Sequence, residues 1–202
     1  MIHVFRKGTD ESKPVMVMFH GTGGDEQDLL PLAGLLSPGS SVLGIRGNVL
    51  ENGMPRFFRR LSEGVFDEED LIFRTQEIKQ FLDEAAVKYG FSADKTVAVG
   101  YSNGANIAGS LLFHYGKAFQ AAVLLHPMVP LRGLKLPDMS GLPVFIGTSM
   151  NDPMVPAHES RELEELLQGA GAVVNTYWGN QGHRLNVEEA EAARDWLKLQ
   201  LV

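Results

Sequence analysis

Thr96-Val97-Ala98-Val99-Gly100-Tyr101-Ser102-Asn103-Gly104 is the stretch from which the rest of the chain is read. An apolar run of strand type ends in Gly-x-Ser-x-Gly, and a helical pattern starts near Asn103. A serine at so tight a strand-to-helix turn must take a strained backbone conformation. Glycines two residues to either side let neighbouring backbone approach without Cβ clashes. The turn lifts the Ser102 hydroxyl above the sheet, and the helix N-terminus behind it favours developing negative charge. The same pattern arises by chance in solvated loops. Here the strand before it and the helix after it select the nucleophile reading for Ser102.

Working outward, the chain alternates strand-like and helix-like segments. Strands are expected at Pro14–His20, Ser41–Arg46, Thr96–Tyr101, Ala121–His126, Pro143–Gly147 and Val173–Trp178, with Ile2–Phe5 as an antiparallel edge. Most are continuous apolar runs, the pattern of strands buried on both faces. Helices are expected at 26–36, 67–89, 103–115, 157–168 and 187–202. The longest opens on Asp67, Glu68, Glu69 and Asp70, acids that suit a helix N-terminus, and Gly90 ends it. This alternation predicts an α/β fold, a mainly parallel central sheet with helices on both faces. No repeat, linker or segment long enough for a lid domain divides residues 1–202, so one domain is expected.

A serine hydroxyl is a weak nucleophile until a base takes its proton. Where such a turn carries the nucleophile, acid and base follow in the order Ser, Asp, His. Asp152, in Gly147-Thr-Ser-Met-Asn-Asp152-Pro-Met-Val-Pro156, follows a strand and sits on a loop stiffened by two prolines. Its bland rival is a turn aspartate before proline. His183, in Trp178-Gly-Asn-Gln-Gly-His183-Arg, follows the last strand, and Gly179 and Gly182 let the loop fold back over Ser102. Asp152 would hold the Nδ1 proton and stabilise the imidazolium formed during attack. The glycine-rich loop His20-Gly-Thr22-Gly-Gly24 supplies Thr22, whose backbone N–H joins that of Asn103 as an oxyanion donor. A phosphate-binding reading of this loop fails, because Asp25-Glu26 stand where a Walker motif needs Lys-Ser/Thr.

The other five histidines read as structural. His3 lies near the terminus, and His114 and His158 fall in helices. His126 ends a strand and faces the cleft at most, being too early in the chain for the base. His20 bonds loop backbone. In Pro55-Arg56-Phe57-Phe58-Arg59-Arg60 the arginines either bind an anionic substrate group or pair with the acids of 67–70; pairing is the favoured reading. Residues Asn48–Phe66 lack periodicity and are the expected cleft-lining segment.

Composition narrows the function. The net charge of -7 argues against a nucleic-acid partner. With no cysteine there is no disulfide, no thiolate metal site and no cysteine nucleophile. Charges interrupt the N-terminus where a signal peptide needs an apolar stretch, and Val15–Phe19 is far shorter than the ~18 residues that span a bilayer. A cytoplasmic location without a membrane span is expected. No metal or organic cofactor is required, and a homodimer through an exposed helix or edge strand is compatible with the sequence.

The four segments His20-Gly-Thr-Gly-Gly, Gly100-Tyr-Ser-Asn-Gly, Asp152-Pro-Met-Val-Pro and Gly182-His183, in that order, resemble the phospholipase/carboxylesterase family of small α/β-hydrolases, which includes the acyl-protein thioesterases. The segment Arg46–Arg60 is similar to the bacterial carboxylesterase branch. The resemblance implies an α/β-hydrolase fold without a lid and hydrolysis of short-chain carboxylic esters, with a small-molecule ester as the partner. It also implies the same triad and oxyanion donors. Asn103 stands where thioesterase members often carry glutamine, and Thr22 where many relatives carry leucine, which leaves less apolar surface for a long acyl chain. The alternatives are an acyl-thioesterase or lysophospholipase on the same triad, and, in a different class, a ligand-binding or sensing module that lost turnover.

Overall fold

The computed structural model describes residues 1–201. In chain order the elements are β1 (His3–Arg6), β2 (Val15–Phe19), α1 (Leu30–Leu36), β3 (Val42–Ile45), β4 (Val49–Glu51), β5 (Met54–Arg56), β6 (Arg60–Ser62), β7 (Val65–Phe66), α2 (Glu68–Tyr89), β8 (Thr96–Tyr101), α3 (Asn103–Tyr115), β9 (Ala121–Leu125), β10 (Pro143–Ser149), α4 (Ala157–Gly169), β11 (Val173–Gly179) and α5 (Val187–Gln200). Seven strands form the central sheet in the order β1-β3-β2-β8-β9-β10-β11. β1 pairs antiparallel with β3, and every other pairing in this sheet is parallel.

The continuous apolar strands are explained by the two layers they serve. Successive side chains of a strand point to opposite faces. Val17, Phe19, Ala98, Leu124 and Ile146 therefore pack with Leu71 and Ile78 of α2, Leu111 of α3 and Leu163 of α4. Met16, Met18, Val97, Val99, Val123 and Phe145 pack on the other face with Leu32 of α1 and Ala193 and Leu197 of α5. Burying each large apolar side chain contributes ~1.5–3 kcal/mol. This is the α/β-hydrolase fold, a mainly parallel sheet covered on both faces.

Two local expectations need correction. The helix expected from Glu26 begins only at Leu30, because Asp25 Oδ1 accepts the Gln27 N–H and turns the chain instead. The last helix ends at Gln200, and Val202 lies outside the described residues. The unpatterned segment 48–66 is two small hairpins, β4–β5 and β6–β7, whose connection buries Phe57 and Phe58 in the core. Asp67 caps α2 by accepting the Asp70 N–H, and Gly90 ends it at φ +71°.

Among the described residues no helix is long and apolar enough to cross a membrane.

Candidate active site

Four neighbouring parallel strands each deliver one polar side chain from the C-terminal edge. Ser102 directly follows β8, His126 directly follows β9, the loop after β10 carries Asp152, and the loop after β11 carries His183. Carboxyl ends of strands are where α/β sheets place their sites. On the other side of β8, β2 leads into the loop bearing Thr22.

Ser102 takes φ +52° and ψ −116°, and its N–H donates to Leu125 O across the sheet. A side chain rarely adopts this backbone region unless its surroundings enforce it. The glycines explain how the turn closes: a Cβ on Gly100 would strike the Gly104 carbonyl, and one on Gly104 would strike the carbonyls of Phe19 and His20. The resulting geometry sets Ser102 Oγ 2.8 Å from His183 Nε2, and His183 Nδ1 2.8 Å from Asp152 Oδ2. Asp152 is buried, and its Oδ1 accepts the N–H groups of Met154 and Val155. Burial would raise the Asp152 carboxyl, but bonds from His183, His126 and these two amides outweigh it and hold the group below the usual carboxylate range.

The His183 loop is fastened rather than free. Gly182, at φ +67°, donates its N–H toward Ser149 Oγ and Asn151 Oδ1, and the Tyr101 hydroxyl donates to His183 O at 2.6 Å. The expected freedom of the two glycines thus gives way to a pinned loop, with glycine needed for the turn at position 182.

Thr22 and Asn103 line the same cleft as Ser102. Among the described residues neither backbone N–H donates to a protein group. His20 Nδ1 donates to Gly21 O at 2.6 Å, and His20 Nε2 accepts the Gly47 N–H at 3.0 Å. Both ring nitrogens therefore serve to hold the loop before Thr22, and burial lowers the pKa of this ring. The Asn103 side chain accepts the Phe57 N–H at 2.7 Å and so ties the cleft wall to the start of α3.

Of the arginine cluster, only Arg59 pairs with the expected acids, Asp67 and Asp70. Arg56 and Arg60 instead share Glu51, and Arg56, nearly wholly buried, also donates to Thr22 Oγ1 at 3.0 Å. Both line the cleft, which gives it a polar wall. A larger cavity of about 910 Å³ opens among Lys13, Leu36, Gln120 and Arg194, but no histidine lines it. Size therefore does not select the site.

Two functional candidates escaped the sequence reading. His126 is fully buried, with Nδ1 2.8 Å from the same Asp152 oxygen that His183 contacts and Nε2 3.3 Å from Glu189 Oε2. Glu189 is also fully buried. Its local signal was misleading: Asn186 caps α5 by accepting the Glu189 N–H, so Asn-x-x-Glu reads as a capping box. His126, Asp152 and His183 have potential metal-ligating atoms within 4.8 Å of one another. In the structure those atoms are engaged with each other. His3 bonds Tyr89, His114 bonds its own helix and His158 lies at the surface.

The model of the Dienelactone hydrolase family matches residues 59–197. The chain is 55% identical over all 202 residues, and over the whole of the relative, to the Bacillus subtilis (strain 168) protein named "Putative hydrolase MhqD". It superposes on the Bacillus cereus carboxylesterase with a TM-score of 0.97 at 58% identity, covering 98% of this chain and 93% of that one. A phospholipase/carboxylesterase from Dyadobacter fermentans DSM 18053 shares the fold, with a TM-score of 0.76 at 18% identity over 97% and 95% of the two chains.

Proposed function

As this chain belongs to the dienelactone hydrolase family and is a hydrolase, we propose that it is a serine carboxylesterase acting on short-chain carboxylic esters through an acyl-serine intermediate. The observation that carries this reading is the continuous hydrogen-bond chain Ser102–His183–Asp152 beside two unengaged backbone donors.

In this reading Ser102 Oγ attacks the ester carbonyl while His183 Nε2 takes its proton. Asp152, holding the Nδ1 proton, fixes the tautomer that leaves Nε2 free and stabilises the imidazolium. The carbonyl oxygen becomes an oxyanion facing the N–H groups of Thr22 and Asn103, each such donor supplying ~3–4 kcal/mol of barrier lowering. His183 then protonates the leaving alcohol. Water enters, gives its proton to His183 and attacks the acyl-serine, and Ser102 leaves with that proton as the acid departs. These residues complete the cycle without a cofactor, and a cytoplasmic location suits a chain without cysteine.

Short acyl groups are favoured because Arg56, Arg60 and Glu63 give the cleft a charged wall beside Ser102. Steady-state hydrolysis of p-nitrophenyl esters from acetate to palmitate tests this. The rate is expected to peak at about two to four acyl carbons. A peak at long chains would overturn it in favour of a lysophospholipase or thioesterase.

A further inference from the structure

The cycle above uses Ser102, His183 and Asp152, and it leaves a buried histidine and a buried glutamate without a task. Their position is telling. β9 lies between β8, which delivers Ser102, and β10, which delivers Asp152, and the residue that directly follows it is His126. His126 takes a left-handed backbone conformation, φ +53°, and its N–H donates to Gly147 O at 2.7 Å. Few non-glycine residues hold that conformation unless their surroundings demand it. Glu189 reaches the same spot from α5. A Cβ on Gly147 would collide with Glu189 Oε1, so glycine there admits the carboxylate.

Counting protons across these contacts places one proton between His126 and Glu189. Asp152 Oδ1 accepts two backbone N–H groups, and Oδ2 lies 2.8 Å from Nδ1 of both His126 and His183. A carboxylate only accepts, so both imidazoles carry a proton on Nδ1. For His183 that is the tautomer whose Nε2 can act as base. For His126 it leaves Nε2 facing Glu189 Oε2 at 3.3 Å. Two lone pairs there would repel; a proton on Nε2 turns the contact into a charge-assisted bond. The other hydrogen bond to this carboxylate comes from the neutral Gln181 amide at 3.2 Å, so among the described residues the His126 ring is its one cationic hydrogen-bond partner.

We propose that His126 is a positioning residue for the hydrolysis: an imidazolium bridging Glu189 and Asp152 that shares the Asp152 charge and so keeps His183 in its basic form at mildly acidic pH. This rests on the serine-hydrolase reading of the site. The groups facing His126 are Tyr101 from β8, with ring centroids 5.9 Å apart, Asp152 from the loop after β10, His183 from the loop after β11 at 5.2 Å, and Glu189 from α5. Burial opposes the charge on His126, but Glu189 and then Asp152 outweigh it and raise its pKa. A cation beside Asp152 weakens the pull of that carboxylate on a second proton at His183.

Two measurements test this, the first independent of activity. Ring ¹⁵N NMR of the wild-type protein at pH 7, with the resonance identified by its loss in His126→Gln, is expected to show both nitrogens of His126 protonated. The second is the pH profile of kcat/KM on p-nitrophenyl acetate. Glu189→Gln, which leaves His126 neutral but still bonded to Asp152, is expected to move the acidic limb up by about one pH unit. His126→Gln should move it the same way, and the double variant no further. A neutral His126 in the wild-type spectrum, or folded variants whose plateau falls with the limb unmoved, would overturn the proposal. If the wild type turned over no ester, the serine-hydrolase reading would fail while the spectrum still decided the charge on His126.

Discussion

Ser102 and its glycine neighbours form a strained turn of five residues. Ser102 sits at φ +52°, and the approach of Gly104 to the carbonyls of Phe19 and His20 leaves no room for a Cβ. The colliding atoms are backbone, so the turn cannot relax by rotating a side chain. Gly104→Ala is therefore expected to destabilise the fold by about 3 kcal/mol or more. Urea denaturation checks this, and a loss below 1 kcal/mol would mean the turn has slack. Asp152 is held differently, by four hydrogen bonds to one carboxylate. Asp152→Asn keeps the shape but places a donor where two imidazoles donate. Ester hydrolysis should fall by ~10³–10⁴ in kcat through the wrong His183 tautomer. Near wild-type kcat in the folded variant would contradict the orienting role.

Among the elements, the strands were the most legible. β2, β8, β9 and β10 are buried on both faces, so their runs carry no competing polar pattern, and the expected spans match within one or two residues. α1 was harder, because the Asp25 turn breaks a periodicity that continues through Leu29. The hairpins β4–β5 and β6–β7 have strands of two or three residues, too short to show alternation. Yet they carry the cleft wall. The connection at Phe57 and Phe58 belongs to the core, whereas the β6–β7 hairpin exposes Leu61 and Val65. Replacing Ser62-Glu63-Gly64 with a turn of the same length and different side chains is thus expected to change acyl-chain preference, with Tm held within ~2–4 °C. Thermal melts beside the ester series check this; Tm falling while preference stays fixed would make the hairpin a structural part alone. Phe58→Ala, by contrast, should cost ~3–5 kcal/mol.

For the whole molecule, the site is a product of topology. Ser102, Asp152 and His183 could be named from the sequence because a motif marks the first and chain order suggests the others, and the structure sets them in hydrogen-bond contact. His126 and Glu189 are 63 residues apart and meet because β9 ends and α5 begins at one edge of the sheet. No local pattern announces such a pair. The same cluster gives the fold a pH dependence of definite sign. The His126 pKa is raised above 6.5 as the pull of Glu189 and Asp152 overcomes burial, so its stabilisation is complete below that value and is lost as pH rises through the folded one. The Asp152 pKa is lowered from 3.8 despite burial, by its bonds from His183, His126 and two amides. Its stabilisation is complete above 3.8 and is lost as pH falls through the folded value. Melts from pH 4 to 9 should therefore show Tm declining on the alkaline side above pH 6.5, and Glu189→Gln should flatten that decline. Parallel curves for the two proteins would show that the pair carries no linked proton.

The central claim is that Ser102 forms the covalent intermediate. It is tested most directly by treating the protein with an alkyl fluorophosphonate and locating the adduct by peptide mass spectrometry, beside the ester-hydrolysis rate of Ser102→Ala. The account predicts one adduct, on Ser102, with activity lost in proportion to labelling. Ser102→Ala should fold, take no label and fall by ~10⁴–10⁶ in kcat. An adduct on another residue, or a folded Ser102→Ala variant that keeps its ester hydrolysis, would contradict the account.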